Sequence, residues 1–183
     1  MNESEETASV HEKNCLMAKR MEALRPPDLF YVQAARSLLE RGEHGQARQE
    51  LDRVEQALRS HADVLEVLWG VQAQSGEWQA CLQTAEAIVA KAPERPSGWI
   101  KRSFVLHRLK RTQEALNTLF PVVEKFPEVP MISYNLACYA CQLQCLWEAE
   151  SWLKKAIEIG GKEYREMALR DRALKELWNK LAG

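Results

Sequence analysis

The apolar residues between Trp99 and Pro127 are spaced three or four positions apart, as in amphipathic α-helices. A basic break from Arg108 to Thr112 separates two such stripes, and Pro127 ends the second. The stripes contain Trp99, Ile100, Phe104, Val105 and Leu106, then Ala115, Leu116, Leu119, Val122, Val123 and Phe126. Because helices this short are marginal in isolation, the pattern predicts a helix hairpin that packs against similar neighbours.

The same pattern recurs along the chain with a period of 34 residues. Small side chains repeat at one phase of this period, and proline or glycine repeats at another. The two series are Ala47, Cys81, Ala115 and Ala149, and Pro93, Pro127 and Gly161. A small side chain lets the two helices of a hairpin cross closely, and proline or glycine ends the second helix. The period therefore predicts a stack of helix hairpins.

A helical period of 34 residues with this pattern resembles the tetratricopeptide repeat of bacterial proteins. Trp99 stands at the leading aromatic position of the repeat, Ala115 at its small position and Pro127 at its end. The second unit matches least well, because Trp69 falls where a small residue is expected. Either Gly70 takes that place or the helix crossing is looser. The resemblance implies an all-α fold, a right-handed α-solenoid.

The period divides the chain into four repeats with a flanking segment at each end. The predicted repeats are residues 28–61, 62–95, 96–129 and 130–163. We expect the flanking segments, residues 1–27 and 164–183, to be capping helices, because a solenoid exposes an apolar face at each end. For the N-terminal segment the alternative is an arm that docks on a partner or on the chain's own groove. Within the third repeat, Pro121 predicts a kink in the second helix.

Composition and charge narrow the class of protein. The formal net charge is −1, which argues against a nucleic-acid binder that depends on bulk positive charge. The N-terminus is acidic, unlike a signal peptide, and no apolar run approaches the ~20 residues of a membrane span. Five cysteines within a helical pattern favour a reducing compartment over a disulfide framework. We therefore expect a cytoplasmic protein that contacts neither nucleic acid nor membrane.

Three of the cysteines form a cluster on one predicted helix. Cys138, Cys141 and Cys145 fall at positions i, i+3 and i+7. A structural zinc or iron–sulfur centre takes about four ligands, usually from turns that wrap the metal, and a straight helix offers fewer. We interpret these thiols as small packing residues, with a redox or metal role as the alternative.

The sequence contains none of the common catalytic motifs that we searched for. It has no glycine-rich phosphate loop, no GxSxG and no HExxH, and its four histidines lie at unrelated phases of the repeat. We therefore expect a protein that is not an enzyme and that needs no cofactor or metal.

The tetratricopeptide resemblance implies that the first helices of the hairpins line a concave groove able to hold a peptide. Phasing each unit from its small residue gives these candidate groove residues: Arg36, Lys101, Phe104, His107, Arg108, Tyr134 and Asn135. Because the third repeat is rich in Lys and Arg, such a groove suits an acidic ligand with an apolar anchor. The alternative is that the basic run only solvates its helix and pairs with neighbouring acids.

Two hypotheses for the function follow. The first is an adaptor, scaffold or co-chaperone-like module that binds a peptide or protein segment in the groove. The second is a structural unit whose helical surfaces build a homodimer or larger homo-oligomer without a separate ligand. A thiol or metal protein that uses Cys138, Cys141 and Cys145 is a third, weaker hypothesis.

Overall fold

The computed structural model describes residues 24–181, with side chains described for residues 24–179. Most of the predicted N-terminal capping helix at 1–27 therefore lies outside the described residues. Within the described range the backbone forms helices and turns but no strand. None of these helices is both long and apolar enough to cross a membrane.

Four helix hairpins follow one another, in the predicted order. Their helices are α1 (Asp28–Glu40) and α2 (His44–Asp52); α3 (Ala62–Gln74) and α4 (Trp78–Lys91); α5 (Pro96–Arg108), α6 (Thr112–Leu119) and α7 (Val122–Lys125); and α8 (Pro130–Gln142) and α9 (Leu146–Gly160). A short 3₁₀ segment (Gln56–Leu58) connects the first hairpin to the second. The predicted all-α stack of hairpins is confirmed.

Each hairpin turns at one residue whose φ is positive, and these residues also repeat every 34 positions. They are Gly42 (φ 80°), Gly76 (φ 74°), Lys110 (φ 65°) and Gln144 (φ 63°). At each turn two backbone N–H groups bond back to the preceding helix, as Glu77 N does to Gln72 O at 2.9 Å. The last two hairpins make the same turn without the glycine that left-handed backbone favours.

The small residues of the 34-residue series lie in the core. Ala47, Cys81, Ala115 and Ala149 are all completely buried, each on the second helix of its hairpin. The first belongs to an apolar cluster of the first two hairpins, and the other three belong to a larger cluster that extends to the C-terminal segment. A longer side chain at these positions would separate the two helices.

Trp69 and Gly70 have different roles in the second hairpin. A Cβ atom added to Gly70 would meet Cδ2 of Leu39, so the Leu39 side chain of α1 packs directly on Gly70. Trp69 is only half-buried, and its ring lies 6.2 Å from that of Phe104 in α5. Of the two alternatives for this repeat, Gly70 is thus the close-contact residue, although its contact is with the neighbouring hairpin.

Pro121 divides the second helix of the third hairpin at the place where the sequence predicts a kink. Helix α6 ends at Leu119 and α7 begins at Val122, while Phe120 and Pro121 between them keep right-handed helical backbone. The proline has no N–H to donate and its ring excludes the carbonyl one turn earlier, which breaks the helical hydrogen bonding here.

The C-terminal segment is also divided, where the sequence predicts a single capping helix at 164–183. It forms α10 (Lys162–Arg170), a 3₁₀ segment (Arg172–Leu177) and α11 (Trp178–Leu181). At the junction Asp171 has extended backbone, and its Oδ1 accepts a bond from Ala173 N at 2.9 Å. The chain turns here because this carboxylate caps the 3₁₀ segment. Leu174 and Leu177 are then buried in the larger apolar cluster.

Substitution of the small crossing residues tests the packing. We expect Ala115→Leu or Ala149→Leu to lower the free energy of unfolding by about 1–3 kcal/mol, because the extra methylenes overpack a completely buried crossing. Urea denaturation followed by circular dichroism measures the change. Ala90→Leu, at an exposed position of α4, is the matched control and should leave the midpoint nearly unchanged. Equal midpoints for all variants would contradict the packing.

The turn geometry makes a separate prediction. Gly76→Ala should destabilise the protein by about 1 kcal/mol, because alanine resists the left-handed backbone of the turn. Gly45→Ala, at an open position within α2, should instead be neutral or stabilising by up to ~1 kcal/mol. Thermal denaturation of the two variants side by side measures both effects, and a loss of stability in both would rule out this explanation.

Candidate functional site

A cavity of about 540 Å³ opens on the face formed by the first helices of the hairpins. Its walls come from α3, α5 and α8, and the C-terminal segment closes one side. The lining residues are Trp69, Ile100, Lys101, Phe104, His107, Arg108, Met131, Tyr134, Asn135, Cys138, Tyr139, Asp171 and Ala173. Most of them are aromatic or aliphatic, so the cavity suits an apolar group with a few polar contacts.

The structure brings together all but one of the predicted groove residues. Lys101, Phe104, His107, Arg108, Tyr134 and Asn135 line this cavity. Arg36 lies apart from them. It lines a second cavity of about 410 Å³, whose other lining residues are Leu39, Asp63, Glu66, Val67, Arg95 and Ser97. The two cavities are neighbours, because Glu66 of the second is paired with Lys101 of the first.

Lys101 is neutralised within the fold. Its Nζ lies 2.6 Å from a carboxylate oxygen of Glu66 and 5.2 Å from the centre of the Trp69 ring. The Ser97 hydroxyl donates to the other oxygen of the same carboxylate. Both side chains of the pair are mostly buried, with 23% and 17% exposed. Because its charge is already compensated, Lys101 contributes less to the attraction of an acidic ligand than the sequence suggests.

His107 is a neutral part of the wall at neutral pH. Burial lowers the pKa of its imidazole below the usual value, and the positive charges of Lys110 and Arg108 lower it further. Its Nδ1 lies 3.1 Å from Thr112 Oγ1, and its ring is 5.0 Å from that of Tyr139. Of the three basic residues that line the cavity, only Arg108 therefore presents a positive charge that is not already compensated by a described residue.

Arg108 is exposed and has no carboxylate partner among the described residues. Its guanidinium lies 4.7 Å from the centre of the Trp78 ring, and Trp78 in turn lies 6.4 Å from Phe104. Stacking on an indole holds the guanidinium in place without neutralising its charge. Arg108 can therefore pair with a carboxylate that approaches the cavity.

Asp171 is the acidic residue of the cavity lining. Its Oδ2 accepts hydrogen bonds from Tyr134 Oη at 2.9 Å and from Cys138 Sγ at 3.7 Å. Burial raises the pKa of Tyr134 well above its usual value, and the bond to Asp171 raises it further, so the phenol stays protonated and donates. Asp171 is not among the groove residues predicted from the sequence, because it lies outside the repeats, where the period assigns no position.

No family model matches the chain, and no curated protein matches its sequence. Solved structures do match. Residues 41 to the end of MamA from Desulfovibrio magneticus RS-1 superpose with a TM-score of 0.65 at 19% identity, covering 87% of this chain and 96% of that one. TTC0263, a tetratricopeptide protein of Thermus thermophilus, superposes with a TM-score of 0.68 at 19% identity, covering 84% and 82%.

The fold is the tetratricopeptide solenoid. At this level of identity the likeness concerns the fold alone. It agrees with the resemblance that the 34-residue period carries, and it leaves the ligand of the groove to be inferred from the residues that line it.

The cysteine cluster does not converge on a metal. Cys138 and Cys141 are buried, Cys145 is exposed at the hairpin turn, and all three are free thiols. Among the described residues, no group of three or more His, Cys, Asp or Glu side chains is arranged to hold a metal ion. Burial raises the pKa of both buried thiols, most strongly that of Cys138, where the charge of Asp171 adds to the effect. A thiol with a raised pKa is a poor nucleophile at neutral pH.

Thiol reactivity tests this arrangement. In a Cys15→Ser background we expect iodoacetamide at pH 7.5 to label Cys145 first. Cys81, Cys138 and Cys141 should react only after unfolding, because they are buried and their thiolates are disfavoured; burial and the charge of Glu77 raise the pKa of Cys81 to about 11. Peptide mapping by mass spectrometry gives the order. Rapid labelling of Cys138 in the native protein would contradict it, and Cys145→Ser identifies the fast site.

Proposed function

We propose that this protein is an interaction module that holds a segment of another polypeptide in the cavity of the third and fourth hairpins. The observation that carries the proposal is a largely apolar cavity with one uncompensated guanidinium at its wall. Burying one Leu- or Phe-sized side chain in such a cavity contributes about 1.5–3 kcal/mol. The tetratricopeptide fold supports the same role, because its concave face is suited to an extended or helical peptide.

The partner segment carries a carboxylate next to its anchor in this proposal. Lys101 is paired with Glu66 and His107 is neutral, so Arg108 is the cation of this cavity that is available to a ligand. A carboxylate bonded to a guanidinium that is already held by Trp78 gains a charge-assisted, bidentate contact. The basic run in the sequence predicts an acidic ligand. The proposal is more specific: the ligand carries one acidic residue next to its anchor.

We further propose that the cavity binds a ligand and does not catalyse a reaction, and that the protein is located in the cytoplasm. The buried cysteines serve as packing residues, and the four cysteines of the described range are free thiols, which supports a reducing compartment.

Selection from a random 12-residue peptide library on the immobilised full-length chain tests the proposal. We expect enriched peptides to share an anchor with a long apolar stem and a neighbouring Asp or Glu. Arg108→Glu should weaken the selected peptides at least tenfold, because it places like charges together, and added salt should weaken the wild-type complex. Lys91→Glu, the same charge reversal at an exposed position of α4 outside the cavity lining, is the matched control and should bind nearly as wild type.

Two outcomes would overturn the proposal. One is equal affinity of the selected peptides for the wild-type and Arg108→Glu proteins. The other is the absence of any enriched peptide. If sedimentation then showed a dimer that forms at micromolar concentration, the homo-oligomeric unit would be favoured instead. The exposed rings of Trp147 and Phe120 in the last two hairpins, 81% and 55% exposed, would be the first surface to examine.

A further inference from the structure

The hydrogen bonds that Asp171 accepts from the described residues all come from neutral donors. These donors are the Tyr134 hydroxyl at 2.9 Å, the Ala173 backbone N–H at 2.9 Å and the more distant Cys138 thiol at 3.7 Å. The ion pairs among the described residues include none with Asp171. The fold therefore orients this half-buried carboxylate but leaves its negative charge uncompensated.

The charged side chains of the cavity wall are not all paired. Lys101 is compensated by Glu66, whereas the Arg108 guanidinium and the Asp171 carboxylate each have no ion pair among the described residues. A ligand with only an acidic group would satisfy Arg108 and still leave Asp171 without a cation. Burying a charge without a partner is costly, so the preferred ligand is one that carries both signs.

Most of the other residues that line the cavity are apolar. Trp69, Phe104 and Tyr134 contribute aromatic rings, and Ile100 and Met131 contribute aliphatic side chains. Such walls accept the methylene stem of a long cationic side chain, and aromatic rings also attract its charged head. A side chain of Leu or Phe would fill the same space but would leave the carboxylate without a donor.

We propose that the anchor of the partner segment is a Lys or Arg side chain, whose stem packs on the aromatic walls and whose head pairs with Asp171, while an acidic residue of the same segment pairs with Arg108. This inference rests on the proposed function and narrows the anchor from any apolar stem to one with a cationic head. Asp171 then determines the specificity of the site, in addition to capping the C-terminal 3₁₀ segment.

Asp171→Asn separates the two roles of this residue. Asparagine caps helical segments as well as aspartate does, so its amide oxygen can keep the bond from Ala173 N–H. Its amide nitrogen then takes the place of Oδ2 and donates to the Tyr134 oxygen, so the fold is expected to survive. The variant removes the negative charge and reverses the direction of the bond to Tyr134. A purely structural role would leave the choice of anchor unchanged in this variant, whereas the proposed role would abolish the preference for a cation.

The test compares anchors that differ only in charge. A peptide selected on the wild-type chain is resynthesised with Lys, Arg or norleucine at the anchor position, since norleucine has a stem similar to that of lysine without its charge. We expect the wild-type protein to bind the Lys and Arg peptides at least tenfold more tightly than the norleucine peptide. In Asp171→Asn the three affinities should agree within about threefold. Glu176→Gln, an exposed carboxylate of the same 3₁₀ segment outside the cavity lining, is the control and should keep the wild-type preference.

A second measurement does not depend on the selection. N-acetyl-lysine N-methylamide and its norleucine analogue are titrated into the full-length chain, and the Trp69 indole N–H signal, assigned through Trp69→Phe, is followed by NMR. We expect the lysine compound to shift this signal at lower concentration, and Asp171→Asn to remove the difference.

The outcomes distinguish this inference from the function on which it rests. Selected peptides that bind through Arg108 but prefer norleucine, or an Asp171→Asn protein that keeps the preference for Lys, would overturn the inference and leave the proposed function standing. No selected peptide together with no shift from either compound would overturn both.

Discussion

The close crossing of the two helices in each hairpin is the contact on which the rest of the structure depends. Ala47, Cys81, Ala115 and Ala149 are completely buried at equivalent positions, so all four hairpins have a small side chain at the same place. Because the hairpins also turn at equivalent residues with the same backbone bonds, they stack in register. Their first helices then lie side by side, and the gap between them becomes a groove whose lining is set by the phase of the repeat.

The lining of the groove includes residues that do not follow the repeat pattern. Trp69 replaces a small residue, and its ring contacts Phe104 and the ammonium of Lys101. Glu66, one turn earlier on α3, neutralises that ammonium. The C-terminal segment then adds Asp171, which no repeat supplies. Together these residues turn a basic stripe into a cavity with mostly apolar walls, in which Lys101 is paired with Glu66 and Arg108 and Asp171 have no ion pair among the described residues. The proposal of a ligand of mixed charge rests on this arrangement.

Burial accounts for the groups that the groove does not use. Cys138 and Cys141 lie within the packed fourth hairpin, where the thiolate form is disfavoured, and His107 is held neutral by burial and by adjacent cations. The cysteines of α8, which suggest a metal or redox site in the sequence, are thus packing residues in the structure. The charged groups of the lining that have no ion pair among the described residues are Arg108, which stacks on Trp78, and Asp171, which accepts from Tyr134.

The sequence by itself determined the features that recur. The 34-residue period predicted the all-α stack and its hairpins, and the phase placed six of the cavity residues, because equivalent positions of a repeat lie at equivalent places in a solenoid. Tertiary structure decided what does not recur: the separation of Arg36 from the other groove residues, the pairing of Lys101 with Glu66, and the position of Asp171. These depend on contacts between side chains of different hairpins, or with a segment outside the repeats. A period specifies which face a residue occupies, but not which neighbour compensates its charge.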